Sequence, residues 1–301
     1  MLDRAATAVA LLGPGGDFVA FTRDIAAVRV PGVGLQTRQP SQIVAGVASV
    51  PQWVISEARE LIDLSGPAPF GDWRSIGVIG SQLTPFNPPF SSAAAVSRTG
   101  RRAVIVTAAS SLFAAEVNSA TAIDVPATIP LRLVSPSPIV SVAFPLDAPA
   151  DSYLAGYAVT ANGLLKLSAD TATHWTFAPI PLPTALTPVS VWFTGNRGRV
   201  GFSNGSVYSL PSRVEIAAAL PDDVAVDFTQ ACGQQFLLAS HGLFRLEPVP
   251  GKAAGQWRPV SLPIGGSPNA FEGGRIHGLR SDLYVFRHNG ETAWLTFSPC
   301  P

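Results

Sequence analysis

The sequence predicts an all-β chain, read as one seven-bladed β-propeller domain over residues 1–301, with six blades as the alternative. Three observations carry that prediction: dispersed turn residues without helical periodicity, a turn-and-strand unit recurring about every 44 residues, and short strands that are apolar on consecutive positions.

The first observation is punctuation. Twenty-seven glycines and 28 prolines are spread from end to end rather than gathered into one linker, which suits many short strands joined by turns. Between them lie runs such as Asp17-Phe-Val-Ala-Phe21, Ala103-Val-Ile-Val-Thr107 and Asp282-Leu-Tyr-Val-Phe286. Only Val54 to Leu64, with Glu57, Arg59 and Glu60, reads as one face of a helix.

The second is the repeat. Asn162-Gly163, Asn204-Gly205 and Asn289-Gly290 each lie between strand-like runs, as tight two-residue hairpins require, and His241-Gly242 takes the same place in a further copy. Degenerate versions occur earlier at Arg23-Asp24, Arg59-Glu60 and Ser110-Ser111. A second marker follows: Trp73, Trp175 and Trp257 fall 9, 8 and 11 residues after Leu64, Leu167 and Leu246. Each unit then reads as four strands, for example Ile139 to Phe144, Tyr153 to Thr160, Leu164 to Leu167 and Trp175 to Ile180. Thr7 to Pro31 lies over Val189 to Pro211 with Gly13 and Gly195 in register, so the apolar stretch Ala5 to Leu12 reads as part of a first blade, not as a signal. Phe297 lies four residues from the C-terminus, so the last unit is expected to lack its outer strand, leaving either a three-stranded blade or an edge that a partner chain supplies.

The third is composition. With 47% apolar and 13% charged residues the chain can bury a large core, and a sheet packed between two others has no wet face to populate with charge. Twenty basic against 20 acidic residues argue against nucleic-acid binding by bulk charge. No stretch approaches the ~20 apolar residues of a membrane-spanning helix, so no membrane insertion is expected. Cys232 and Cys300 are too few for a disulfide scaffold or a four-thiolate zinc site, and leave one bridge open. Without a persuasive export signal the expected location is the cytoplasm, the alternative being secreted or periplasmic.

Ser168-Ala-Asp170-Thr-Ala-Thr-His-Trp175 resembles the turn pattern of the Asp-box (BNR-repeat) propellers, with Ala172 where glycine is usual and His174 where threonine is usual. That group includes sialidases, sortilin-like receptors and photosynthesis assembly factors. The resemblance implies a propeller whose box is a structural turn away from the ligand face, so it implies no activity. The Arg-Ile-Pro pattern of sialidases and the Gly-His and Trp-Asp dipeptides of WD40 repeats are absent.

Candidate chemistry is sparse. His174, His241, His277 and His288 show no helical metal-ligand spacing, although His277 and His288 could meet across a hairpin. Asp222-Asp223 reads as a solvated turn, and Arg98, Arg101 and Arg102 concentrate charge in one loop between two strands. No Gly-x-Ser-x-Gly elbow or phosphate loop occurs in a helical context. Neither a catalytic set, a metal site nor a cofactor is expected. The recurrent turns place Arg23, Arg59, Asn162, Asn204, His241 and Asn289 at one end of successive sheets as a ligand- or partner-binding rim. The expected function is therefore a non-catalytic protein-interaction or scaffold propeller. The alternatives are a carbohydrate-binding propeller using the repeated tryptophans and, less favoured, an Asp-box-type hydrolase.

Overall fold

The computed structural model describes residues 8–11, 18–21, 26–30, 34–38, 43–47, 53–64, 74–79, 86–87, 90–96, 102–109, 111–117, 123–130, 138–145, 154–169, 175–183, 186–220, 223–262, 271–272, 274–279, 281–287, 292–297 and 300. Their strands form six four-stranded sheets and one three-stranded sheet, each antiparallel and each built from strands consecutive in the chain. Contacts group the chain into two compact units, Thr7–Pro183 and Thr184–Pro301.

The first unit holds four sheets. Sheet 1 comprises β1 (Ala8–Leu11), β2 (Phe18–Phe21), β3 (Ala26–Val30) and β4 (Gly34–Arg38). Sheet 2 has β5 (Ile43–Gly46), β6 (Trp53–Ser56), β7 (Glu60–Asp63) and β8 (Arg74–Val78). In sheet 3 are β9 (Phe90–Val96), β10 (Arg102–Ala108), β11 (Ser111–Val117) and β12 (Ile123–Pro130). Sheet 4 consists of β13 (Ile139–Ala143), β14 (Leu154–Thr160), β15 (Gly163–Ala169) and β16 (Trp175–Ile180).

Three sheets make the second unit. They are sheet 5, β17 (Pro188–Thr194), β18 (Arg197–Phe202), β19 (Val207–Leu210) and β20 (Glu215–Ala217); sheet 6, β21 (Ala225–Ala231), β22 (Gln234–Ala239), β23 (Gly242–Glu247) and β24 (Gln256–Val260); and sheet 7, β25 (Arg275–Leu279), β26 (Asp282–Phe286) and β27 (Thr292–Thr296). Among the described residues sheet 7 has three strands. The helical reading of Val54 to Leu64 is overturned: β6 and β7 form a hairpin there, with Ile55 opposite Leu61, and strand alternation buries Val54, Ile55, Leu61 and Ile62 on both faces of the sheet. Ala8–Leu11 likewise pairs with β2 as a strand.

The composition argument is realised in the cores. Along β10, Ala103 and Ile105 pack toward sheet 4 while Val104 and Val106 pack toward sheet 2. Along β22, Leu237 and Ala239 face sheet 5, and Phe236 and Leu238 face sheet 7. Strand alternation thus feeds two different cores, and consecutive apolar residues are the consequence. Each fully buried Val, Ile, Leu or Phe among them contributes roughly 1.5–3 kcal/mol.

Polar residues on the first strands stitch neighbouring sheets together. The Val142 N–H donates to Ser91 Oγ at 3.0 Å, and Ser92 Oγ donates to the Gly46 carbonyl at 2.6 Å. In the second unit the Ile276 N–H donates to Asp227 Oδ2 at 3.2 Å and the Gly278 N–H to Thr229 Oγ1 at 3.0 Å. A Cβ on Gly278 would lie 2.0 Å from the Gln230 carbonyl oxygen, so β21 and β25 approach as closely as they do only because this residue is glycine.

Cys232 and Cys300 form a disulfide, their Cα atoms 5.2 Å apart. Cys232 and Gly233 make the two-residue turn between β21 and β22, with φ of 52° and 73°. The bridge therefore ties a turn of sheet 6 to the segment that follows β27.

Candidate functional site

Arg59, Asn162, Asn204 and His241 lie on turns joining second to third strands, and in several sheets backbone hydrogen bonds tie those turns down. In sheet 6 the Ser240 N–H donates to the Val224 carbonyl, and the Phe271 N–H donates to the Ser240 carbonyl. In sheet 5 the Ser203 N–H donates to the Thr187 carbonyl, while the Leu220 and Ala225 N–H groups donate to the carbonyls of Asn204 and Ser203. Both turns are therefore clamped between the connector entering their own sheet and the connector leading to the next. In the first unit the Ile139 N–H reaches the Ala109 carbonyl, the same kind of tie.

Two of these turns sit one residue earlier than the sequence suggests. Thr160 pairs opposite Gly163 and Ala239 opposite Gly242, so Ala161-Asn162 and Ser240-His241 form the tips and the glycines open the third strands.

The predicted rim residues have different fates. Asn162 stands exposed at its tip, its N–H donating to Thr160 Oγ1 at 3.4 Å. Asn204 is spent on its own turn: Oδ1 accepts from the Ser206 N–H at 3.0 Å and from Ser206 Oγ at 2.8 Å. Arg59, at φ 67°, lays its guanidinium over the rings of Phe86 and Phe113, 5.3 and 5.7 Å from their centroids. It acts there as a cover for aromatic surface. Arg23 and Asn289 lie outside the described residues, as do His174, His288, Arg98 and Arg101. His277 stands opposite Tyr284 in the register of sheet 7.

His241 carries the richest chemistry on the rim. Its imidazole is half exposed, and its Nδ1 lies 3.0 Å from Oδ1 of Asp223, whose side chain is only 7% exposed. The same oxygen accepts from Ser240 Oγ and from the Val224 N–H, both at 2.8 Å. Burial alone would push the Asp223 carboxyl up, but the bonds from His241, Ser240 and the Val224 N–H outweigh it and hold the group below the ordinary aspartate value. The reading of Asp223 as a solvated turn residue is corrected here: it is a buried anchor that fixes one imidazole nitrogen and leaves Nε2 directed away from it. Asp222 lies outside the described residues. Sequence reasoning missed the anchor because Asp223 and His241 are 18 positions apart and meet only when the connector folds back onto the turn.

Ser240 donates to the carboxylate rather than to the imidazole, so the three residues do not form a nucleophile relay. Among the described residues no group of three or more His, Cys, Asp or Glu side chains is placed to hold a metal ion. Two repeated tryptophans are packing residues. Trp175 is buried with its ring edge-on to Phe144, and buried Trp257 donates its indole N–H to the Gly205 carbonyl at 2.7 Å. Trp73 lies outside the described residues.

Known structures share this architecture. The chain superposes on a catalytically inactive virginiamycin B lyase from Staphylococcus aureus with quinupristin at TM-score 0.65 and 11% identity, covering 98% of this chain and 96% of that one. YCF48 bound to D1 peptide matches at TM-score 0.64 and 12% identity, over 98% and 93% of the two chains. The fold is a β-propeller.

The extracellular domain of a one-component system from B. thetaiotaomicron matches this propeller at TM-score 0.64 and 12% identity; 98% of this chain covers 39% of that one. At these identities the likeness is one of fold. No protein-family model matches the propeller, and no curated protein matches it. Among the described residues no helix is long and apolar enough to cross a membrane. The cytoplasmic expectation finds no support, because its basis was a missing signal and the two cysteines prove to be bridged, the state that reducing compartments disfavour.

Proposed function

We propose that this propeller is a non-catalytic interaction module that offers its central turns and their connectors to a protein partner. The observation that carries the reading is the Ser240-His241 turn: an exposed imidazole, fixed by a buried carboxylate, on backbone clamped from both sides. A surface ordered before binding loses little conformational entropy on association, which is what a recognition site needs. The fold neighbour solved with a peptide supports the reading by showing a propeller of this kind in use as a binder.

The blade count belongs to the same proposal. The six four-stranded sheets are taken as complete blades, and sheet 7 as a seventh blade one strand short. Kinship with the Asp-box group rests on the residues from Ser168 to Trp175. The disulfide leads us to place the protein in an oxidising compartment, secreted or periplasmic.

The test is positional photo-crosslinking in the native cell. A photoreactive residue at 162 or 241 is expected to give a discrete protein adduct, whereas one at exposed Val78 on β8 or exposed Val214 in the turn before β20 gives none. Adducts independent of position, or partner capture unchanged by His241→Ala, would overturn the proposal.

A further inference from the structure

Three buried side-chain atoms at the interface of sheets 5 and 6 have no hydrogen-bond partner among the described residues: Nε of Arg199, Nε1 of Trp192 and Oε1 of Gln235. The strand register brings their residues together. On sheet 5, Trp192 stands directly opposite Arg199 and Thr194 opposite Arg197. Across the interface Trp192 stacks on Phe228 with ring centroids 5.3 Å apart, and Thr194 Oγ1 donates to Gln230 Oε1 at 2.9 Å. Gln230 is the direct cross-strand neighbour of Gln235. Alternation keeps Arg197, Arg199 and Gly201 on one face of β18, and a Cβ at Gly201 would lie 2.5 Å from the Phe228 ring, so that face looks onto sheet 6.

The charge is as uneven as the hydrogen bonding. Among the described residues neither Arg197 nor Arg199 pairs with a carboxylate, and the one bond Arg199 makes runs from a terminal guanidinium nitrogen to the Gly198 carbonyl at 3.5 Å. Burial pulls the Arg199 guanidinium down from its ordinary value, and the charge of Arg197 pulls the same way. A buried N–H without an acceptor costs roughly 1–3 kcal/mol, so two of them on directly opposed residues, one belonging to a cation without a carboxylate partner, are expensive unless an acceptor reaches them.

We propose that these unpartnered donors form a binding site for a small carboxylate. Two N–H donors on directly opposed side chains match the two oxygens of one planar carboxylate, and Arg199 supplies the single positive charge that a monoanion requires. Arg197, exposed beside it, attracts the anion to the rim. The Gln235 Oε1 has no partner among the described residues, and rotation of the amide turns its NH2 group toward the bound oxygen as a further donor. A phosphate is a poorer match, since its second negative charge would be buried with only Arg199 to offset it. The site lies beside the turns that join first to second strands, the other end of the sheets from the Ser240-His241 turn, and stands independently of the partner surface proposed above.

The experiment uses the full oxidised chain labelled with nitrogen-15. Sodium acetate is titrated against sodium chloride at matched ionic strength while the Trp192 indole N–H resonance is followed, that peak being assigned by its absence in Trp192→Phe. A saturable acetate shift is expected, weakened about tenfold or more in Arg199→Leu, the loss of roughly one charge-assisted hydrogen bond. Calorimetry on Trp192→Phe, which keeps the stack on Phe228 and deletes one donor, is expected to show weaker acetate binding and decides the matter if Arg199→Leu does not fold. No saturable shift, an equal shift with chloride, tighter binding of phosphate than of acetate, or acetate binding unchanged in both variants would each overturn the proposal.

Discussion

The two faces of β21 handle polarity in opposite ways. Toward sheet 7, Asp227 and Thr229 are spent on backbone N–H groups of β25, and the Phe228 N–H also donates to Asp227 at 2.9 Å. Burial pushes the Asp227 carboxyl up, against the Arg275 charge and these two N–H bonds. Around them Phe236, Leu238, Leu283 and Val285 are buried together, and Gln234 Oε1 is the unpartnered atom that alternation along β22 puts on this side. Toward sheet 5 the same strand presents Phe228 and Gln230 to an aromatic layer in which Arg199, Trp192 and Gln235 keep unpartnered atoms. A polar group in such an interface either binds the neighbouring backbone, where it holds two sheets together, or keeps its capacity for something else.

This contrast can be broken most forcefully at the disulfide. It joins residues 68 apart in sequence, and chain entropy assigns a loop of that length about 4 kcal/mol. Urea melts with and without reductant should differ by that order, and an unchanged midpoint would detach sheet 7 from the bridge. Next comes Gly278→Ala, which sets a Cβ against the Gln230 carbonyl and should cost about 2–3 kcal/mol in the same melts. Gly242→Ala is the control: the nearest atom would be 3.8 Å away, and a change within about 0.5 kcal/mol is expected. On the sheet 5 side, Trp257→Phe keeps most of the ring but strands the Gly205 carbonyl, a loss of about 1–2 kcal/mol.

The smallest effect at neutral pH belongs to His277. Burial lowers its pKa from 6.5 to about 4, so the folded protein keeps the imidazole neutral while the unfolded chain takes up a proton. Its contribution is fully present above pH 6.5 and is lost as pH falls toward 4. Thermal melts of His277→Gln should therefore match the wild type at pH 8 and lose less stability between pH 6.5 and 4. Identical pH profiles would show that this histidine titrates normally.

Much of the scaffold is legible because its signals are local. Asn162, Asn204 and His241 mark turns that the structure contains, and Ala103-Val-Ile-Val106 announces a strand covered on both faces. The site is less legible because its partners come from separate segments. Asp223 reads as solvent-facing until its connector folds over Ser240, and Asn204 reads as a ligand donor until Ser206 claims it. Trp192 and Arg199 are seven residues apart, an unremarkable spacing that acquires meaning only when a tight turn sets them opposite each other and sheet 6 closes over them.

What the sequence by itself determined is the class of element and its period: strand after strand, tight turn at a regular interval. Those features follow from backbone sterics and side-chain alternation, which act over a few residues. What only the tertiary structure decided is which polar groups are consumed. That outcome depends on desolvation and on donors supplied by neighbouring sheets, so Asp223, Asp227 and Arg199 acquired their roles when the sheets packed.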